Sequence, residues 1–115
     1  MCGIAGLWSA RDAAPPRHEQ LAAMLSTLHH RGPDGNGIRI DEAAGLAHAR
    51  LSIIDLAGGA QPMANEDNTV WVVFNGEIFN YIELRETLRG QGHVFRTDSD
   101  TEVLVHLYEE HGDAF

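Results

Sequence analysis

Cys2 is the residue with the clearest capacity for chemistry. It is the only cysteine of the chain, follows the first methionine and opens the string Cys-Gly-Ile-Ala-Gly. Removal of Met1 would place a thiol and a free α-amine on one residue. An α-amine gives up its proton near neutral pH, so it can activate the thiol, as N-terminal amines do for hydroxyl nucleophiles. A lone cysteine is also commonly a small buried apolar residue, so position 2 alone leaves both alternatives open.

Three further clusters carry groups that bind or polarise a small polar molecule. Arg50 interrupts an apolar segment, and its guanidinium can grip a carboxylate with two hydrogen bonds; the alternative is a surface arginine. The amide of Asn75 and the backbone N–H of Gly76 can form an oxyanion hole, although Asn-Gly is also a strong hairpin-turn signal. Asp100 can bind an ammonium group or cap a helix.

Composition excludes several classes of function. With 8 basic and 17 acidic residues the net charge is −9, which argues against binding to the phosphate backbone of a nucleic acid. The chain has no lysine, so neither a Schiff base nor a Walker-type phosphate loop is expected. The histidines show no ligand spacing, and with a single cysteine we expect no metal and no cofactor in this segment. The seven histidines are His18, His29, His30, His48, His93, His106 and His111.

The location is expected to be the cytoplasm. One cysteine permits no internal disulfide, which fits a reducing compartment. The N-terminus lacks the basic and apolar regions of a signal peptide. No segment approaches the ~18 apolar residues of a membrane helix, so no membrane association is expected.

The elements that must position these residues mix strands with helices. Strand patterns occupy residues 3–9, 37–40, 45–54 and 70–74. Apolar spacing predicts helices over 17–30 and 82–88, and a third from Ser99, where Ser99 and Glu102 have the spacing of a capping box. Loops are predicted at 31–37 and 57–62. The chain stops just past a helix with no closing strand, so we expect a segment of a longer protein.

Taken together, these strings resemble the glutaminase domain of class II glutamine amidotransferases, a branch of the N-terminal nucleophile hydrolases. The matching strings lie at residues 1–6, 30–35, 46–55, 59–63, 74–81 and 99–102. Within that class, Arg-Gly-Pro-Asp-Gly, Arg-Leu-Ser-Ile and Asn-Gly-Glu-Ile are most similar to the glutamine-hydrolysing asparagine synthetases. The resemblance implies an α+β fold, the αββα sandwich of the N-terminal nucleophile hydrolases, which a 115-residue segment would leave incomplete.

The resemblance also implies a role for each cluster. Cys2 would attack the side-chain amide of glutamine with its own α-amine as base, and Asn75 and Gly76 would stabilise the oxyanion. Arg50 would bind the substrate α-carboxylate and Asp100 its α-ammonium. The remaining residues that would line the pocket are Leu51, Ser52, Ile53, Ile54 and Glu77.

The partners implied are glutamine and a C-terminal synthetase domain of the same chain. That domain, absent from this segment, would use ATP and Mg²⁺ to convert aspartate to asparagine. Two alternatives stay open: the same ammonia supply to another acceptor, as in sugar or exopolysaccharide amidation, and a non-catalytic module. The oligomeric state is also open, a homodimer included.

Overall fold

A computed structural model of the chain describes residues 1–11, 13–52 and 58–115. Its elements are β1 (Gly3–Trp8), α1 (His18–Leu28), β2 (Gly35–Ile40), β3 (Ala44–Arg50), β4 (Met63–Ala64), β5 (Trp71–Val72), α2 (Tyr81–Gly90), α3 (Glu102–His111) and a final 3₁₀ turn (Gly112–Ala114). The fold is α+β with antiparallel sheets.

The described residues form two compact units. The first unit comprises Met1–Ser52, Ala60–Pro62 and Val73–Asn75, and the second comprises 58–59, Met63–Val72 and Gly76–Phe115.

The first unit is a three-stranded antiparallel sheet covered by one helix. The strand order is β1-β3-β2, with Gly3 opposite Ala49 and Gly35 opposite Arg50. Leu21 and Leu25 of α1 pack on small alanines of β3 to form the core, since small side chains on the strand let the helix approach closely. β3 is the central strand, with β1 on one side and β2 on the other, and it ends at Arg50.

The second unit is built on a short hairpin and two helices. Met63 pairs with Val72 and Ala64 with Trp71. The side-chain oxygen of Asn65 accepts hydrogen bonds from the backbone N–H groups of Thr69 and Val70, at 2.9 and 3.1 Å, and so closes the turn. The buried apolar residues of this unit are Met63, Leu88, Val103 and Val105.

The predicted helices are confirmed with adjusted ends. The helix predicted at 17–30 spans His18–Leu28, and that predicted at 82–88 spans Tyr81–Gly90. The third begins at Glu102 and not at Ser99. The predicted capping box is wrong, because the Glu102 carboxylate accepts hydrogen bonds from the backbone N–H groups of Arg96 and Thr97 instead of reaching Ser99.

The strands differ more from the prediction. The strand expected at 3–9 is confirmed as β1, but β2 begins two residues before the predicted 37 and shortens the predicted loop 31–37. The strand expected at 45–54 ends at Arg50, because the next two backbone N–H groups bond to side chains. Its last positions, Ile53 and Ile54, lie outside the described residues. The 70–74 pattern gives a strand only over Trp71–Val72, because its partner β4 is two residues long.

No helix in the described ranges has both the length and the apolar character that a membrane crossing requires.

Candidate active site

The thiol of Cys2 lies against the end of β3. Its Sγ accepts a hydrogen bond from the backbone N–H of Leu51 at 3.3 Å and lies 3.5 Å from the Leu51 carbonyl oxygen, to which the thiol can donate. The Arg31 side chain donates to the Cys2 carbonyl oxygen at 3.2 Å. Cys2 is half-buried and unpaired. The predicted nucleophile thus has a fixed position and a partly open surface.

Arg50 and Ser52, two of the predicted substrate-binding residues, belong to the same strand end. The loop after α1 fixes this stretch through Asp34. The Asp34 backbone N–H donates to the Arg50 carbonyl oxygen at 2.9 Å, and its carboxylate accepts the Ser52 backbone N–H at 2.8 Å. Asp34 therefore orients the backbone on both sides of Leu51.

Gly32 lets the same loop approach β3. A β-carbon at this position would lie 2.2 Å from the carbonyl carbon and oxygen of Ala49 and 2.4 Å from the backbone nitrogen of Arg50. Such separations lie far inside van der Waals contact, so only glycine fits. Sequence reasoning gave Gly32 and Asp34 no role of their own, since a string rich in glycine, proline and aspartate indicates a loop and does not reveal what the loop contacts.

His48 lies two residues before Arg50 on β3 and is 1% exposed. Burial lowers the pKa of His48, and the charge of Arg50 acts in the same direction. The imidazole is therefore neutral at physiological pH, and β3 carries no second positive charge beside Arg50.

Asn75 ends the last segment of the first unit. The backbone N–H of Phe74, one residue before, donates to the side-chain oxygen of Gln61 at 2.6 Å, and this bond anchors the segment. Asn75 itself is exposed. The hairpin-turn alternative is wrong, because the next element after Asn75 is α2 and not a strand. The exposed amide at the end of an anchored segment fits the oxyanion role.

Asp100 is buried in the second unit. One carboxylate oxygen accepts the backbone N–H of Ile78 at 2.8 Å, and the other lies 3.4 Å from the Thr101 hydroxyl. Asp100 thereby holds the segment that carries Gly76 and Glu77, both exposed. It does not cap α3, the alternative that the sequence left open.

Glu102, the first residue of α3, holds the chain that precedes the helix. Its side chain is 2% exposed and accepts the backbone N–H groups of Arg96 and Thr97 at 2.7 and 2.8 Å, together with the Thr97 hydroxyl at 2.5 Å. Burial alone would raise the pKa of Glu102, but the neighbouring His106 imidazole and hydrogen bonds from Thr97 and the two backbone groups lower it to about 2. Glu102 is therefore a permanent buried anion, which the sequence indicated only as a helix cap.

The structure thus groups the predicted site residues in two sets. In the first unit Cys2 contacts Leu51 directly, and Arg50 and Ser52 flank that contact. In the second unit Gly76 and Glu77 adjoin the Ile78 N–H that Asp100 holds. The predicted residues Ile53 and Ile54 lie outside the described residues, and the roles of all these side chains in catalysis stay predictions.

Comparison with known proteins gives one consistent result. Residues 1–115 match a family described as a glutamine amidotransferase domain. The chain is 47% identical over 113 residues to asparagine synthetase [glutamine-hydrolyzing] 1 of Bacillus subtilis, covering 96% of this chain and 18% of that protein. It is 48% identical over 115 residues to the asparagine synthetase [glutamine-hydrolyzing] of Sandersonia aurantiaca, covering 100% of this chain and 22% of the relative. Asparagine synthetase [glutamine-hydrolyzing] 2 of Arabidopsis thaliana is 48% identical, with coverages of 100% and 20%. The chain spans about a fifth of the length of these relatives.

Proposed function

The chain belongs to the glutamine amidotransferase domain family, and from this premise we propose that it hydrolyses the side-chain amide of glutamine to glutamate and ammonia. The observation that carries the proposal is the position of the half-buried Cys2, whose thiol contacts the backbone of Leu51, the residue between Arg50 and Ser52 in the sequence. A thiol held by backbone polar groups, one residue along the chain from an arginine, suits attack on the amide of a zwitterionic substrate.

In the proposed reaction the Cys2 α-amine takes the thiol proton, and sulfur attacks the amide carbon. A sulfur–carbon bond forms, and the carbonyl electrons move onto oxygen, where Asn75 and Gly76 donate hydrogen bonds. The tetrahedral intermediate then breaks its carbon–nitrogen bond, and the proton held by the amine leaves with nitrogen as ammonia. Water cleaves the resulting thioester, which gives glutamate and restores the thiol. With Met1 attached the Cys2 nitrogen is an amide, so the proposal requires removal of Met1.

Substrate binding divides between two charged groups. We assign the α-carboxylate of glutamine to the Arg50 guanidinium, which can bind it with two parallel hydrogen bonds. We assign the α-ammonium to Asp100, whose buried carboxylate is already oriented by the Ile78 N–H. The family resemblance adds Leu51, Ser52, Ile53, Ile54 and Glu77 to the residues proposed to bind the substrate.

The use of the ammonia is proposed from the names of the relatives. The relatives are named glutamine-hydrolysing asparagine synthetases. We therefore propose a C-terminal synthetase domain that uses ATP and Mg²⁺ to convert aspartate to asparagine in the cytoplasm. Amidation of a sugar or exopolysaccharide is the second candidate acceptor chemistry. The α+β segment would then be part of the αββα sandwich of the N-terminal nucleophile hydrolases.

The proposal is tested on the full-length protein with Cys2→Ala and by mass spectrometry of the N-terminus. Cys2→Ala should abolish glutamine-dependent synthesis and leave ammonia-dependent synthesis near wild type, because only the ammonia supply requires the thiol. An active preparation should begin at Cys2. Glutaminase activity near wild type in Cys2→Ala, or an active enzyme that retains Met1, would refute the mechanism.

A further inference from the structure

Two histidines and two glutamates converge in the second unit in a group that the glutaminase proposal does not use. His106 and Glu109 lie one turn apart on α3, His93 follows α2, and Glu66 lies in the turn between β4 and β5. We call Glu66, His93, His106 and Glu109 the two-histidine cluster. The His106 side chain is fully buried and that of His93 is 10% exposed. The imidazole centroids are 4.8 Å apart, so three separate stretches of chain meet here.

The possible ligand atoms of the two-histidine cluster lie close enough together to surround one metal ion. Nδ1 of His106 lies 3.0 Å from Oε2 of Glu109 and 3.2 Å from Oε2 of Glu66. Nδ1 of His93 lies 3.4 Å from Oε2 of Glu109 and 3.8 Å from Oε1 of Glu66. A tetrahedral zinc ion with bonds of about 2.0–2.2 Å holds its ligand atoms about 3.3–3.6 Å apart. Of the four separations, 3.4 Å lies within that range, 3.0 and 3.2 Å lie below it and 3.8 Å lies above it. One possible ligand atom from each residue falls within 4.8 Å of all the others.

Outer contacts orient these ligands. Nε2 of His93 lies 2.8 Å from a Glu110 carboxylate oxygen. This contact favours the proton on Nε2 of His93 and leaves its Nδ1 lone pair directed into the cluster. Nε2 of His106 is buried without a hydrogen-bond partner among the described residues and lies 3.7 Å from a Glu102 carboxylate oxygen. The Asn65 side-chain amide donates to Oε1 of Glu109 at 2.8 Å and leaves Oε2 for an ion. Carboxylate–histidine pairs and bonded ligand carboxylates of this kind are typical of protein metal centres.

The two-histidine cluster also has an excess of negative charge that a cation would offset. Oε2 of Glu66 is buried and accepts no hydrogen bond from the residues that the structure describes. Glu66 and Glu109 face two imidazoles that are neutral as ligands. Glu102 beside His106 and Glu110 beside His93 add a third and a fourth carboxylate. A divalent ion would offset two of these charges. The competing arrangement is a metal-free ion-pair network in which a proton on His106 supplies the positive charge.

We propose that the two-histidine cluster binds one divalent transition-metal ion of the zinc class. Two imidazole nitrogens with two carboxylate oxygens suit zinc and cobalt better than Mg²⁺ or Ca²⁺, which prefer oxygen ligands alone. The proposal departs from the expectation of no metal, since sequence spacing does not show that residues 66, 93, 106 and 109 meet. The ion would tie the β4–β5 turn to α3 and would stabilise the second unit.

The experiment titrates the chelator-treated protein with Co²⁺ or Zn²⁺ alone. Co²⁺ should give the visible absorption of a four-coordinate ion at one equivalent, and Zn²⁺ should displace it. His93→Gln and Glu109→Gln should each weaken binding by at least about tenfold, since even outer-sphere changes cost that much. His111→Gln, an exposed histidine near the end of α3, is the matched control and should bind as wild type.

Circular dichroism establishes that each variant is folded. His93 is mutated instead of His106 because a change at the fully buried His106 could prevent folding. Folded protein without saturable binding overturns the proposal and leaves the ion-pair network. Binding that His93→Gln and His111→Gln weaken equally also overturns it, because the ion would then lie elsewhere. Neither outcome touches the glutaminase proposal, whose test depends on Cys2.

Discussion

In the first unit, the close approach of a loop to the backbone of β3 fixes the predicted site residues. In the second unit, buried charged side chains fix them. Gly32 lets the loop approach the strand end at Arg50. Asp34 adds one main-chain hydrogen bond to Arg50, and its exposed carboxylate accepts one from Ser52. Asp100, at 5% exposure, holds the segment of the second set through its carboxylate, and Glu102, at 2% exposure, holds the chain before α3 in the same way. Steric substitutions should therefore damage the first unit, and changes of charge should damage the second.

Gly32→Ala should have the largest effect. Its β-carbon would lie 2.2 Å from the Ala49 carbonyl group, and backbone atoms of a central strand cannot move aside. We expect a loss of at least about 3 kcal/mol in the free energy of unfolding, measured by urea denaturation. Gly35→Ala is the matched control, because nothing lies within 4 Å of a β-carbon there. Equal stability of the two variants would show that the close approach at Gly32 does not hold the loop.

Glu102→Gln should have the next largest effect and should reveal the charge dependence of the second unit. The amide nitrogen would replace one of the two carboxylate oxygens and face the backbone N–H of either Arg96 or Thr97, so that buried donor loses its acceptor. We expect a loss of about 2–3 kcal/mol in the free energy of unfolding, measured by urea denaturation with a chelator present. Glu86→Gln, exposed on α2, should change it by less than about 0.5 kcal/mol. Equal free energies of unfolding for Glu102→Gln and Glu86→Gln would contradict the charge dependence of the second unit.

Asp34→Ala should have the smallest effect and should act on catalysis. Its carboxylate positions Ser52, and one exposed hydrogen bond contributes about 0.5–1.5 kcal/mol. We therefore expect kcat/KM for glutamine to fall about three- to tenfold in the full-length protein, with ammonia-dependent synthesis unchanged. Asp34→Asn keeps an acceptor oxygen and should recover most of the loss. A parallel fall in both activities would identify a general folding defect and remove the positioning role.

Local patterns in the sequence predicted much of this molecule. The spacing of Leu21 and Leu25 predicted α1 to within two residues at either end, since amphipathic periodicity is a property of one segment. The lengths of the strands were less predictable. The 70–74 pattern satisfies strand propensity throughout, but a strand extends only as far as its partner, and β4 has two residues.

The sequence by itself determined the family strings, the single thiol at Cys2 and the mixture of helices and strands. Only the tertiary structure shows that Gly32 must lack a side chain, that the Asp100 carboxylate accepts the backbone N–H of Ile78, and that α3 begins at Glu102. It alone brought His93 and His106 together across 13 positions of sequence. The physical reason is that periodicity and capping act over a few neighbouring residues, whereas close approach, buried hydrogen bonds and ligand geometry join residues that are distant in the chain.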